Sequence, residues 1–136
     1  MRYDFTIQTD HFQFYLEDQD SQTDTSMLWV EQAISDHLAV APDLIGVGTA
    51  RYGGPTRIVI EIEQSRPTES FDAWDRVAEC SINIHSGQMI IHAPEADPSD
   101  AESISLPAGA YGAMVYYGNL VRYRTIPAWK VKTTIV

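Results

Sequence analysis

Tyr3, Phe5 and Ile7 alternate with Asp4, Thr6 and Gln8, the period of a strand with one buried face. Phe12, Phe14 and Leu16 repeat the pattern after Thr9-Asp10, so the two runs form either a hairpin or parts of two sheets. From Glu17 to Thr25 the chain is polar and reads as an exposed loop. Met27, Val30, Ala33, Ile34, His37 and Leu38 then fall at helical spacing. With Thr25 or Ser26 as cap and Pro42 as outer limit, this stretch predicts the one helix of the chain.

Beyond Pro42 the period returns to two. Leu44 to Thr49 is a short apolar run, and Arg51-Tyr52-Gly53-Gly54-Pro55 a turn. Arg57 to Glu63 alternates around Ile58, Ile60 and Ile62, with Val59 on the other face. Ser65 to Asp72 is a polar connection. Ala78, Cys80, Ile82 and Ile84 share one face of the next strand. Ser86-Gly87 then predicts a tight hairpin turn, with Gln88 to Ala93 as the returning strand. A second acidic loop, Pro94 to Glu102, precedes strands at Ser103 to Leu106, Ala110 to Gly118, Leu120 to Ile126 and Lys130 to Ile135. Roughly eight or nine short strands with one short helix predict a mainly β protein, a two-sheet antiparallel β-sandwich. The absence of alternating βα units disfavours Rossmann and TIM folds.

Length adds that residues 1–136 form a single domain, large enough to bury a core without staples. One cysteine, Cys80, permits no internal disulfide and points to a reducing, cytoplasmic compartment. Met1 to Thr6 lacks the apolar run of a secretory signal, and no apolar run reaches the about 18 residues of a membrane span. The net charge of -10 makes free nucleic acid a poor direct ligand and favours a basic partner, metal ions or plain solubility. Carboxylates crowd the first third of the chain, while Arg122, Arg124, Lys130 and Lys132 gather near its end.

Candidate chemistry is sparse. Cys80 lies on an apolar strand face and reads as a packed thiol. His85 and His92 flank the expected hairpin turn; with Glu79 or Glu95 they form a weak metal alternative. Asp10-His11 is too short a signal for a triad. Glu61 and Glu63 share an outward strand face, without the apolar pocket that general acid-base work requires. No phosphate-loop spacing is present. The expectation is therefore a protein with no catalytic residues, no metal and no cofactor. Tyr116-Tyr117, Tyr123 and Trp129 lie among basic residues, and one Tyr of the adjacent pair is expected to face outward. Tyr117, Tyr123 and Trp129 are thus the candidates for self-association as a homodimer.

The order of features resembles competence protein J, the nuclease inhibitor family of competent bacilli. The likeness rests on Trp29-Val30-Glu31-Gln32-Ala33-Ile34, Leu44-Ile45-Gly46-Val47, the strand Val77 to Ile84, the Ser86-Gly87 turn and Leu106-Pro107-Ala108-Gly109-Ala110-Tyr111. It spans about four-fifths of the chain in the same order. The last dozen residues depart from the family pattern, and the acidic loops carry no motif onto which its inhibitory residues could be transferred. The resemblance implies a β-sandwich that blocks a nuclease. Electrostatics agrees: an acidic protein can occupy a basic DNA-gripping site as a polyanion mimic. The candidate partner-binding residues are Asp18, Asp20 and Asp24 in the first loop, or Glu95, Asp97, Asp100 and Glu102 in the second. The alternative is a self-associating structural or regulatory β-sandwich without enzymatic activity.

Overall fold

Two five-stranded sheets face one another across a single apolar core in the computed structural model, which describes residues 1–49, 52–65, 71–118 and 129–135. The strands are β1 (Arg2–Thr9), β2 (Gln13–Asp18), β3 (Leu38–Ala41), β4 (Leu44–Gly48), β5 (Gly54–Ile62), β6 (Arg76–Ile84), β7 (Gln88–His92), β8 (Glu102–Ser105), β9 (Gly109–Gly118) and β10 (Trp129–Ile135). One sheet has the order β1-β5-β10-β9-β6, the other β3-β4-β2-β7-β8. The mainly β sandwich expected from the alternation is therefore present. Phe14, Leu16, Ile45, Val47, Ile58, Ile60, Ile82, Ile84, Met89 and Ile91 interdigitate between the sheets, with Tyr3, Phe5 and Ile7 packed at the margin.

Three expectations about local structure are corrected. First, the Ser86-Gly87 turn does not close a hairpin. β6 pairs with β9 in one sheet, whereas β7 pairs with β2 and β8 in the other. The turn is an arch that carries the chain across the core, because Ile82, Ile84, Met89 and Ile91 all need burial between the sheets. Second, the helix is short. A 3-10 turn at Thr25–Met27 is capped by Asp24 rather than Thr25 or Ser26. That turn closes at Leu28, Val30 is extended and precedes the helix, and α1 covers only Glu31–Asp36. His37 takes a left-handed conformation, and Leu38 already pairs with Val47 in β3. Only Ala33 of α1 is buried, so Met27, Val30 and Ile34 face solvent instead of the core. Third, one strand pair is parallel: β10 inserts between β9 and β5, antiparallel to the first and parallel to the second. The two N-terminal runs resolve into different sheets, joined only by an Asp10–Gln13 bridge. The predicted strand from Leu120 to Ile126 lies outside the described residues.

Neither Tyr of the adjacent pair is exposed. Tyr117 belongs to the core, and its hydroxyl donates to the His37 carbonyl at 2.5 Å. Tyr116 points to the opposite face but is covered by Trp74 and Phe71, with ring centroids 5.5 and 6.4 Å away. Tyr117 therefore cannot be a self-association residue; its ring fills the sandwich. Tyr123 lies outside the described residues, and Trp129 is placed by its backbone at the start of β10, opposite Thr56.

Asp18 is the second correction among the candidate residues. It ends β2 on the inward face and is only 1% exposed, so it cannot meet a partner. Its Oδ1 accepts from the backbone N–H groups of His85 and Ser86, both at 3.0 Å, and from the Ser86 hydroxyl at 2.8 Å. Oδ2 accepts from Asp20 N–H at 3.2 Å. Burial alone would push its pKa up; the bonds from Ser86, His85 and Asp20 outweigh that and hold it below the ordinary value. Because the folded pKa lies below the unfolded one, the stabilisation is complete above the unfolded value and fades as pH falls through the folded one. Asp18→Asn should lower stability by about 2 kcal/mol. Urea melts should show that deficit at pH 7 and a smaller one at pH 3, as wild type loses the same charge.

Candidate partner-binding surface

Strand register decides which loops share an end of the sandwich. β2 and β7 run antiparallel, with Asp18 opposite Met89 and Tyr15 opposite His92. The first acidic loop therefore leaves the sheet at the Met89 end. There Gln19 N–H donates to the Gln88 carbonyl, and Asp43 accepts from the hydroxyls of Ser21 and Thr23. The second acidic loop leaves at the His92 end, about 10 Å further along the strand. The two loops do not form one face.

The His92 end gathers more than charge. The turn from β1 to β2 (residues 10–12), the C-terminus of α1 and the exit of β4 all lie there, since Gln13 pairs with Gly48 and Gly48 N–H donates to the His37 carbonyl at 2.8 Å. Between them opens a cavity of about 380 Å³ lined by His11, Phe12, Gln13, Trp29, Ile34, His37, Gly48 and Thr49. Its wall is mainly apolar. Trp29 forms part of that wall, with its indole N–H donating to the Tyr15 hydroxyl at 3.0 Å. A Cβ on Gly46 would sit 2.9 Å from that ring, and one on Gly48 would sit 2.9 Å from the His37 Cα. These two glycines let the α1 segment lie directly on β4.

Backbone strain collects at the same place. Among the described residues, the non-glycine positions with positive φ are His11 (51°), Phe12 (61°) and His37 (56°), and all three line this cavity. A left-handed phenylalanine costs about 1 kcal/mol and persists only where its surroundings demand it. Phe12 and Tyr52 pack edge to face at 5.5 Å, and His11 lies 5.1 Å from the same ring. Phe12, Tyr52, Val30 and Ile34 are each more than half exposed. The helical spacing of Met27, Val30 and Ile34 carries no sign of whether the stripe meets the core or solvent, so this patch was not legible in the sequence.

Charge joins the cavity to the second acidic loop through Asp10. Its Oδ1 contacts His11 Nδ1 at 2.8 Å, and its Oδ2 accepts from Glu95 N–H at 3.3 Å. Glu95, Asp97, Asp100 and Glu102 are all exposed. Asp97 accepts from the backbone and hydroxyl of Ser99, which lowers its pKa. Asp100 and Glu102 also line a second cleft of about 350 Å³, between β1 and the β7–β8 connection. Asp20 and Asp24 are exposed at the opposite end, Asp24 holding Ser26 N–H at 2.9 Å.

The histidine pair does not assemble. His85 is exposed at the arch, while His92 sits at the far end of β7, its Nε2 paired with Glu17. The Glu17 carboxylate raises the pKa of His92 against the opposing effect of burial. His37 is shifted the other way, by burial first and by the Arg76 charge second. Among the described residues, no group of three or more His, Cys, Asp or Glu is placed to hold a metal ion. No helix among them is long and apolar enough to cross a membrane.

The architecture defines a mainly β, two-sheet sandwich. Its whole-chain likeness is to ComJ of Bacillus subtilis, solved as an inhibitor of the DNA-degrading activity of NucA. That likeness has a TM-score of 0.75 at 17% identity, over 100% of this chain and 98% of that one. The crocagin biosynthetic gene J protein is also similar, with a TM-score of 0.66 at 10% identity over 98% and 96% of the two chains. At these identities the shared property is the fold. No family model matches the chain, and no curated protein matches it.

Cys80 lies at the core margin on β6, where burial, then the Glu79 charge, pushes its pKa up to about 11. Both effects favour the neutral thiol over the reactive thiolate at pH 8. Reaction with Ellman's reagent at pH 8 should accordingly be at least a hundredfold slower in the native protein than in urea. A native rate equal to the unfolded one would contradict that placement.

Proposed function

We propose that this protein is a non-catalytic, cytoplasmic binding protein that occupies the basic surface of a nuclease and blocks it. The observation that carries the reading is a cluster of exposed carboxylates, Glu95, Asp97, Asp100 and Glu102, on a fold shared over its full length with a nuclease inhibitor. A nuclease grips a polyanion, so its active surface is cationic. A net charge of -10 steers such a surface toward this protein and speeds encounter. Neither cofactor nor metal enters this reading. Asp20 and Asp24, at the other end of β2, contribute long-range field but no contact.

The test is capture of partners from native lysate on immobilised protein at low salt, eluted by rising salt, with each captured protein assayed for nuclease activity. Wild type should retain a basic nuclease, release it as salt screens the contact, and inhibit it at one-to-one ratio. Reversing Glu95, Asp97, Asp100 and Glu102 to lysine should slow association by at least about tenfold. Reversing Asp20 and Asp24 should change it little. Retained binding in the fourfold variant, or capture without inhibition, would overturn the proposal.

A further inference from the structure

We infer that the cavity between the β1–β2 turn and α1 receives an aliphatic or aromatic side chain that the basic partner presents beside its cationic residues. This rests on the binding reading above and adds the chemistry of the contact. A cavity of about 380 Å³ with a largely apolar wall is of a size that binding sites use. Ile34 and Phe12 of its lining are 61% and 51% exposed, Tyr52, packed on Phe12, is 56% exposed, and Val30, next to Trp29 in sequence, 59%. Such a contiguous patch on an otherwise acidic chain marks a contact surface. Its rear wall is fixed before any partner arrives, because Trp29 is tied to Tyr15 and packed on Gly46. Preorganisation of this kind spares the ordering cost of binding.

Charge complementarity selects the occupant. Asp10 lies between the cavity and the second acidic loop, touching His11 on one side and Glu95 on the other. Glu31 lies one turn before Ile34 on α1, while Asp36 is already ion-paired with Arg76 at 3.4 Å and takes no part. An apolar side chain seated between His11 and Ile34 would place its neighbours in sequence against the carboxylates of Asp10 and Glu31. Lysine or arginine fits there and glutamate or aspartate does not. The site thus reads a basic segment with an apolar anchor, and the three left-handed residues His11, Phe12 and His37 set the shape of its wall.

Nitrogen-15 and methyl NMR titrations with three short peptides test this. The probes are acetyl-Lys-Lys-Leu-Lys-Lys-amide, its all-lysine counterpart, and acetyl-Glu-Glu-Leu-Glu-Glu-amide. The basic leucine peptide should shift Ile34, Gly48 and Thr49 together with residues 95–102, and bind at least tenfold more tightly than the all-lysine peptide. Ile34→Asn and Phe12→Gly, neither of which changes the charge of the site, should each remove that advantage. Ile34 is exposed and glycine suits the left-handed backbone at residue 12, so both variants keep the fold. Shifts confined to residues 95–102 for both basic peptides would overturn the anchor and leave the acidic contact standing. No binding by either basic peptide would overturn both readings. Equal cavity binding by the acidic peptide would overturn the charge selection. Cavity shifts that grow with protein concentration alone would make a second copy of this chain the occupant.

Discussion

The sandwich depends on one buried carboxylate. A chain that builds two facing sheets must cross between them, and the crossing leaves backbone N–H groups without strand partners. One such crossing, from β6 to β7, is at residues 85–87, and Asp18 accepts both His85 and Ser86 N–H from the end of a strand in the receiving sheet. The Ser86 hydroxyl then bonds Asp18, and Gln88 N–H donates back to that hydroxyl at 3.1 Å. β7 is thereby locked beside β2 instead of folding back on β6. A charged group is rarely worth burying, yet here each hydrogen bond it accepts is to a group that would otherwise be stranded.

Everything at the far end follows from that register. With Asp18 opposite Met89, the β2 N-terminus must lie opposite His92, and the β1–β2 turn must meet the start of the second acidic loop. The Asp10–Glu95 hydrogen bond completes that meeting. Pairing of β2 with β4 then brings Gly48 to the same end, and the short β3 returns α1 over it. A one-residue slip in β2 would turn Phe14 and Leu16 out of the core and dissolve the arrangement. Apolar cavity and acidic loop are therefore neighbours by register.

Period-two alternation made the sandwich legible, since Tyr3-Phe5-Ile7 and Ile58-Ile60 read the same way in sequence and in space. Partners of strands were less legible. Ile82-Ile84 and Met89-Ile91 flanking Ser86-Gly87 fit a hairpin and an arch equally well, because both bury the same residues; only the distant Asp18 distinguishes them. The same ambiguity misplaced Asp18 among the binding residues and Tyr117 at the surface: charge and aromaticity are visible along the chain, but burial is not. Helical spacing between Met27 and Leu38 misled in the opposite direction, since an apolar stripe looks identical whether it meets the core or a partner. The exposed carboxylates Glu95, Asp97, Asp100 and Glu102 were legible because a polar loop between strands has nowhere to go but outward.

Charge and apolar surface act on different halves of a binding equilibrium. A cluster of exposed carboxylates changes the rate of encounter and weakens as salt rises, because its field reaches only about 8 Å at physiological ionic strength. An apolar side chain seated in a dry cavity acts after encounter and sets how long the complex lasts. A blocking protein needs both: attraction without an anchor would yield to the polyanion it competes with, and an anchor without attraction would form too slowly. The end of the sandwich that carries His92 supplies the two together. On the proposed binding reading, left-handed Phe12 is held for contact, since glycine would satisfy that turn at lower conformational cost.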